Sequence, residues 1–237
     1  LFTYYGLHAL QHRGQESAGI VTVSTDKKKN RPMMNVHKGL GLVTDVFSNS
    51  KVFDDILVGS SAIGHNRYST AGSSRKEVNI QPFHVLYHSG NLALGHNGNL
   101  SNIREIRNQL SKDGTIFQST TDSEAFLHLI AKSRETNQVE QIKSALMQVK
   151  GAFCLVILTD DKLIAVRDPN GFRPLSLGKV DDAYVVASET CAFDIIGATY
   201  IREIEHGEVL VIDFDEERKV RLTSHFLPRP EKTSKCI

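Results

Sequence analysis

The chain has 237 residues, with 28 Lys and Arg set against 27 Asp and Glu, for a formal net charge of +1. Such a length is ample for a buried core, and the even charge gives no electrostatic footing for nucleic acid or an acidic membrane surface. No apolar run is long enough to span a bilayer and no signal peptide opens the chain, while three scattered cysteines, Cys154, Cys191 and Cys236, suit a reducing cytoplasm better than a disulfide framework.

Residues 1 to 12 are predicted to be helical, with Leu1, Tyr4, Tyr5 and His8 on one stripe. AGIVTVS (18–24) and MNVHKGLG (34–41) are predicted strands, joined through a charged hairpin tip between Asp26 and Arg31. SSAIGHNRYST (60–70) reads as a third strand running into a polar end. LALGHNGNL (92–100) alternates at Leu92 and Leu94 before it reaches His96, Asn97, Gly98 and Asn99. Three helices are expected next. Asn102 with Glu105, and Thr121 with Glu124, have the capping-box spacing of helix starts. Val139, Ile142, Leu146 and Val149 mark a third helix that should stop at Gly151. Beyond it, AFCLVILT, KLIAVRD, PLSLGKV, AYVVASE and GEVLVIDF are short predicted strands, the first apolar enough to be covered on both faces. Strands, a block of helices and then strands again depart from the alternation of a doubly wound sheet. They predict a layered α+β architecture with largely antiparallel sheets and helices outside. The chain opens on LFTYYGLHAL without an initiator Met and closes on RPEKTSKCI, so it is expected to be part of a longer protein.

Four polar clusters fall where strands end or helices begin: QHRGQESAG (11–19), GHNRYSTAG (64–72), GHNGNLSN (95–102) and TTDSE (120–124). Each joins charged or amide groups to small residues, a composition that suits convergence on one ligand. Arg67 fits either a bidentate grip on a carboxylate or an ordinary surface ion pair. Asp122 fits either an ammonium group or plain stabilisation of a helix N-terminus. Asn97 and Gly98 form either a turn, since both tolerate φ > 0, or an oxyanion hole made from a side-chain amide and a backbone N–H. By alternation Asn97 shares a face with Ala93 and Gly95, whose small side chains leave room for a ligand. Arg13 and Gly14 either join the pocket or end a helix. A cation for an α-carboxylate, an anion for an α-amine and an oxyanion hole for a side-chain carbonyl together describe glutamine or asparagine. His65 and His96 lack the spacing of metal ligands. Cys154 reads as an inert buried thiol. Cys191 stands at a strand-to-helix transition, where a helix N-terminus can lower a thiol pKa, but no His lies close by in sequence to serve as its base.

LQHRGQESAGI, GHNRYSTAG, NIQPF, HNGNL and TTDSE, in this order and spacing, resemble the glutaminase domain of the amidophosphoribosyltransferase family. VRDPNGFRPLSLG and YVVASETCAFDIIGATYIREI extend the likeness through the second half. Glucosamine-6-phosphate synthase, with motifs more like YRGYDSAG and HTRWATHG, and asparagine synthetase, with HNGEIYN, are close rivals, and the QHRGQES and DPNGFRP wording favours the amidophosphoribosyltransferase family. The resemblance implies a four-layer αββα sandwich of the N-terminal-nucleophile hydrolase type. It places a glutaminase domain at 1–230 and, at 231–237, the start of a connection to a phosphoribosyltransferase domain. It also implies hydrolysis of glutamine to glutamate and ammonia through a thioester on an N-terminal Cys. The ammonia would convert phosphoribosyl pyrophosphate to 5-phosphoribosylamine in purine synthesis. By the same resemblance Asn97 and Gly98 form the oxyanion hole, Arg67 holds the substrate α-carboxylate, Asp122 its α-amine, and Arg13 and Gly14 line the pocket. The nucleophilic Cys is expected on a short strand upstream of Leu1, so residues 1–237 alone are expected to be inactive. No cofactor is expected in this stretch. Mg²⁺ would serve the phosphoribosyltransferase domain, and Cys236 resembles one ligand of the [4Fe-4S] cluster carried by one subclass. A cytoplasmic homo-oligomer is expected at full length. The alternatives are an amidotransferase with a different ammonia acceptor and a non-catalytic glutamine-binding or scaffold relative.

Overall fold

The two alternating stretches near the N-terminus form a hairpin in the computed structural model, which describes residues 1–26, 31–68 and 77–228. After α1 (Phe2–Ala9), strand β1 (Ser17–Asp26) pairs antiparallel with β2 (Arg31–Leu40), from Ser17↔Leu40 to Asp26↔Arg31; the residues of the expected hairpin tip, 27–30, lie outside the described ones. A short helix α2 (Val43–Val46) and a π-helical turn (Val52–Ile56) lead to β3 (Ser61–Arg67), which takes the other edge of β1 to give the order β2-β1-β3.

The central sheet has six antiparallel strands. It adds β4 (Phe83–Tyr87), β5 (Gly90–Leu100), then, after helices α3 (Ile103–Lys112), α4 (Ser123–Lys132) and α5 (Gln138–Leu146), strands β6 (Gly151–Thr159) and β7 (Leu163–Arg167). A third sheet follows from β8 (Ser176–Val180), β9 (Ala183–Ala187) and, past α6 (Cys191–Ile196), β10 (Thr199–Glu203), in the order β10-β8-β9. The last two strands, β11 (Glu208–Phe214) and β12 (Val220–Phe226), complete the central order β12-β11-β7-β6-β5-β4.

Period-two alternation assigns each face of these sheets to a layer. On one face of the central sheet Leu92, Leu94, Leu155 and Ile157 meet Phe126, Ile130 and Ile142 of α4 and α5, forming the largest apolar cluster. On its other face Ala93 and Leu158 meet Val21 and Ile63 of the β2-β1-β3 sheet, while Ala165 and Leu210 meet Leu175 and Leu177 of the β8 region. Outside, Leu7 of α1 packs with Ala18 and Ile20, and Phe193 of α6 packs with Ala187. Helices, sheet, paired small sheets and helices make the four-layer αββα sandwich. β6 is covered on both faces, as its apolar run predicts.

Several local expectations give way to tertiary packing. The inward stripe of α1 centres on Leu7, while Leu1 and Tyr5 are exposed. Neither capping box forms. Asn102 instead bonds Gln148 O and the Lys150 N–H, tying α3 to the start of β6. Glu124 reaches back to the N–H groups of Gln118 and Ser119 (2.7 and 2.8 Å) rather than to the Thr121 backbone. α5 ends at Leu146, and Gly151 opens β6 rather than closing the helix. β10 and β12 carry no clear apolar alternation and are found only in the fold, as is the short β4, whose Phe83, Val85 and Tyr87 face the helix layer.

Phe126 is fully buried, edge-on to His96 (5.2 Å between centroids) and Phe153 (6.0 Å). Phe126→Ala should therefore lower unfolding free energy by about 3–5 kcal/mol, read from urea denaturation midpoints. A loss below about 1 kcal/mol would contradict the close packing of α4 on the central sheet.

Candidate active site

Asn97 and Gly98 do not form a turn. Both lie inside β5, where Asn97 stands opposite Cys154 and Gly98 opposite Phe153 of β6. Alternation sends His96 toward α4, where its ring packs on Phe126, and leaves Asn97 on the inter-sheet face with Ala93 and Gly95. A Cβ on Gly98 would collide with the Ala152 carbonyl and stand 2.8 Å from His96 Nε2. Close packing alone thus demands glycine there.

A cavity of about 600 Å³ opens at this point, lined by Arg13, Arg67, Asn97, Gly98 and Asp122 among others. They come from four separate parts of the chain. Arg67 is the last residue of β3, Asp122 immediately precedes α4, and Arg13 ends a 3₁₀ turn (Gln11–Arg13) after α1. Gly14 stands behind the lining: a Cβ there would lie 2.6 Å from the Arg67 carbonyl carbon. It lets the Arg13 loop approach the end of β3, where the Glu16 N–H also bonds Arg67 O at 3.1 Å. The structure thus brings together five of the six described residues singled out in the sequence and gives the sixth a packing role. Cys236, the seventh, lies outside the described residues. Among the described residues no cluster of His, Cys, Asp and Glu has the makings of a metal site.

The carboxylate of Asp122 accepts the Leu100 N–H at 2.9 Å through Oδ2 and stands 3.6 Å from His96 Nδ1 through Oδ1. Burial opposes its charge, but His96 and the Leu100 N–H outweigh burial and hold its pKa below the usual carboxylate value. Asp122 is therefore an anion at neutral pH, and it lines the same cavity as Arg13 and Arg67. His65 donates through Nε2 to the His96 carbonyl (3.0 Å), and burial pushes its pKa down to about 4. It is neutral under ordinary conditions.

The fold adds side chains that hold the cavity's lining and that the sequence did not single out. Glu189 bonds both His12 (2.8 Å) and the Arg13 guanidinium. Arg13 above all, and then His12, keep the Glu189 carboxyl below its ordinary pKa, against burial. Arg107 donates to Thr121 O (3.0 Å) and Ser119 O (2.9 Å) and stacks on Phe117 at 3.8 Å, bracing the loop that presents Asp122. The hint for Glu189 is its presence in ASETCAF beside Cys191, but its partners are more than 170 residues away in sequence.

A second cavity, about 420 Å³, adjoins the first at Gly64, His65 and Asn97. It runs between Ser61–His65 of β3 and Ala183–Ala187 of β9. Each of these strands is the terminal strand of its sheet. Cys154 lines this slot, but its thiol donates to Arg173 O at 3.4 Å, and burial pushes its pKa up to about 12. Cys191, the first residue of α6, also has a raised pKa, through burial and then the charge of Glu189, so the expected lowering by a helix N-terminus does not occur. Neither thiol is ionised at neutral pH.

A family model described as a glutamine amidotransferase domain matches residues 65–194. The chain is 51% identical over 220 residues to an amidophosphoribosyltransferase of Bacillus subtilis, covering 92% of this chain and 44% of that protein. It is 50% identical over 235 residues to the chloroplastic amidophosphoribosyltransferase 2 of Arabidopsis thaliana, covering 99% of this chain and 40% of that one. A solved structure described as the allosteric regulatory enzyme of purine biosynthesis superposes with a TM-score of 0.85 at 47% identity, over 95% of this chain and 46% of the other. The chain thus spans less than half the length of these relatives. Its sequence and its four-layer fold together make it a member of the glutamine amidotransferase domain family.

Proposed function

We propose that this chain is the glutamine-hydrolysing half of an amidophosphoribosyltransferase. The observation that carries the reading is the convergence of Arg67, Asp122, Asn97 and Gly98 on one cavity. Arg67 binds the α-carboxylate of glutamine by its planar fork, and the Asp122 anion takes the α-ammonium. The side-chain amide then reaches Asn97 and Gly98, whose Nδ2 and backbone N–H stabilise the oxyanion formed when a thiolate attacks the amide carbon.

That thiolate comes from a strand preceding Leu1, seated in the slot between β3 and β9. Two observations support this placement. A strand there would hydrogen-bond to both sheet edges, closing the two small sheets into one. Leu1 and Phe2 line the slot, whereas Leu7 and Leu10 reach the ligand cavity as well. A strand leading into α1 therefore ends away from Asn97 and starts beside it. The chain's α-amine accepts the thiol proton and passes it to the departing ammonia, and water releases glutamate from the thioester. In the whole protein, located in the cytoplasm, the ammonia converts phosphoribosyl pyrophosphate to 5-phosphoribosylamine on a second domain; the names of the relatives support this acceptor.

Two variants of the full-length protein test the assignments. Arg67→Ala should raise KM for glutamine by roughly 10–10²-fold and leave synthesis from free ammonia intact in steady-state assays. Equal loss of both activities would refute a binding role. Asn97→Ala should lower the kcat of glutamine hydrolysis by about 10²–10³-fold, and an unchanged kcat would remove it from the oxyanion hole.

A further inference from the structure

NIQPF belongs to the resemblance but its residues have no part in the chemistry above, yet its polar side chains turn inward. Asn79 is fully buried and Gln81 is 6% exposed. Asn79 bonds Thr120 twice, donating through Nδ2 to the hydroxyl (3.0 Å) and accepting the Thr120 N–H (3.1 Å). Gln81 donates through Nε2 to Ser123 Oγ (3.2 Å) and accepts the His96 N–H (2.8 Å). The two residues thus hold both ends of the segment that carries Asp122. The backbone they hang from is itself tethered, since Lys38 of β2 donates to Ile80 O at 2.8 Å.

Ser123, 1% exposed, is where these bonds meet. Its Oγ accepts from Gln81, lies 3.0 Å from His96 Nδ1 and donates to Asp122 Oδ1 at 3.4 Å. One hydroxyl proton cannot serve both His96 and Asp122. With that proton on the Asp122 side, His96 must carry its own on Nδ1. Its Nε2 is buried without a hydrogen-bond partner. Asp122 closes the ring by holding the Leu100 N–H. The backbone on both sides of Asn97–Gly98 is therefore tied, at His96 and Leu100, to the same buried set that fixes Asp122.

We infer that Ser123 and Gln81 are positioning residues that lock the ammonium-binding carboxylate of Asp122 to the strand segment bearing the oxyanion donors. They touch no substrate. They fix the distance between the recognised α-amine and the reacting amide, so the specificity they confer is for an amide that carries an amine at that distance. The inference rests on the proposed glutamine site and sharpens it.

The test compares, in the full-length protein, kcat/KM for glutamine with kcat/KM for its des-amino analogue, 5-amino-5-oxopentanoate. Asp122→Asn sets the scale by removing the preference for glutamine. Ser123→Ala should lower that preference about tenfold, chiefly through KM for glutamine, while Ser123→Thr, which keeps the hydroxyl, retains most of it. An unchanged preference in Ser123→Ala overturns the inference. So does an equal fall for both substrates accompanied by a lower melting temperature, because a purely structural residue would act that way. If Asp122→Asn itself leaves the preference intact, the ammonium site fails and the inference falls with it.

Discussion

The register of β5 against β6 sets where every candidate group stands. From Leu92↔Thr159 to Leu100↔Gly151 the two strands pair without a break, so side chains alternate strictly across the central sheet. Leu92, Leu94 and His96 turn to the helix layer, and Ala93 and Asn97 turn to the inter-sheet space. A slip by one residue would bury Asn97 under α4 and send His96 into the slot. The large apolar cluster beneath α4 and α5 opposes that slip, because it would carry Leu92 and Leu94 out of their fully buried places. Hydrophobic packing on one face therefore fixes the polar geometry on the other.

Around that strand the remaining parts of the site are delivered by element ends. β3 stops at Arg67, α4 starts just after Asp122, and the 3₁₀ turn after α1 stops at Arg13. Rigid elements hold the backbone at each of these points, while side chains from elsewhere fix the loops between them. Arg107 braces 119–121, Asn79 and Gln81 clamp 120–123, and Glu189 holds Arg13. The result is a cavity lined by arginines and by an anionic carboxylate, so that groups of both charges face one space.

Much of this architecture was legible because it rests on local periodicity. The hairpin of β1 and β2, the doubly covered β6, and the buried Val139, Ile142 and Leu146 of α5 all follow from apolar spacing. The layered α+β class follows from the order of elements. β10 and β12 escaped notice for a physical reason: each ends a sheet with most side chains exposed, so no alternation marks it. Asn97 and Gly98 looked like the end of a strand because amide and glycine residues signal turns, but here a neighbouring strand continues beside them and the glycine answers a close cross-strand approach. Asn102 and Glu124 hold connecting segments, 148–150 and 118–119, instead of capping their own helices. The site residues were found through clustering of unusual polar groups. Glu189, Gln81 and Ser123 carry no such signal, because they act through partners such as His12, His96 and Gln81 that are distant in sequence.

We propose that a thiolate enters the slot between β3 and β9 and stands beside Asn97, since neither Cys154 nor Cys191 is ionised at neutral pH. The most direct measurement is the intact mass of the natural-length protein before and after treatment with an electrophilic glutamine analogue, with the modified peptide sequenced. The mature chain should begin with Cys and carry a single adduct on that residue. A chain without an N-terminal Cys that forms no adduct, or an adduct confined to Cys154 or Cys191, would contradict it.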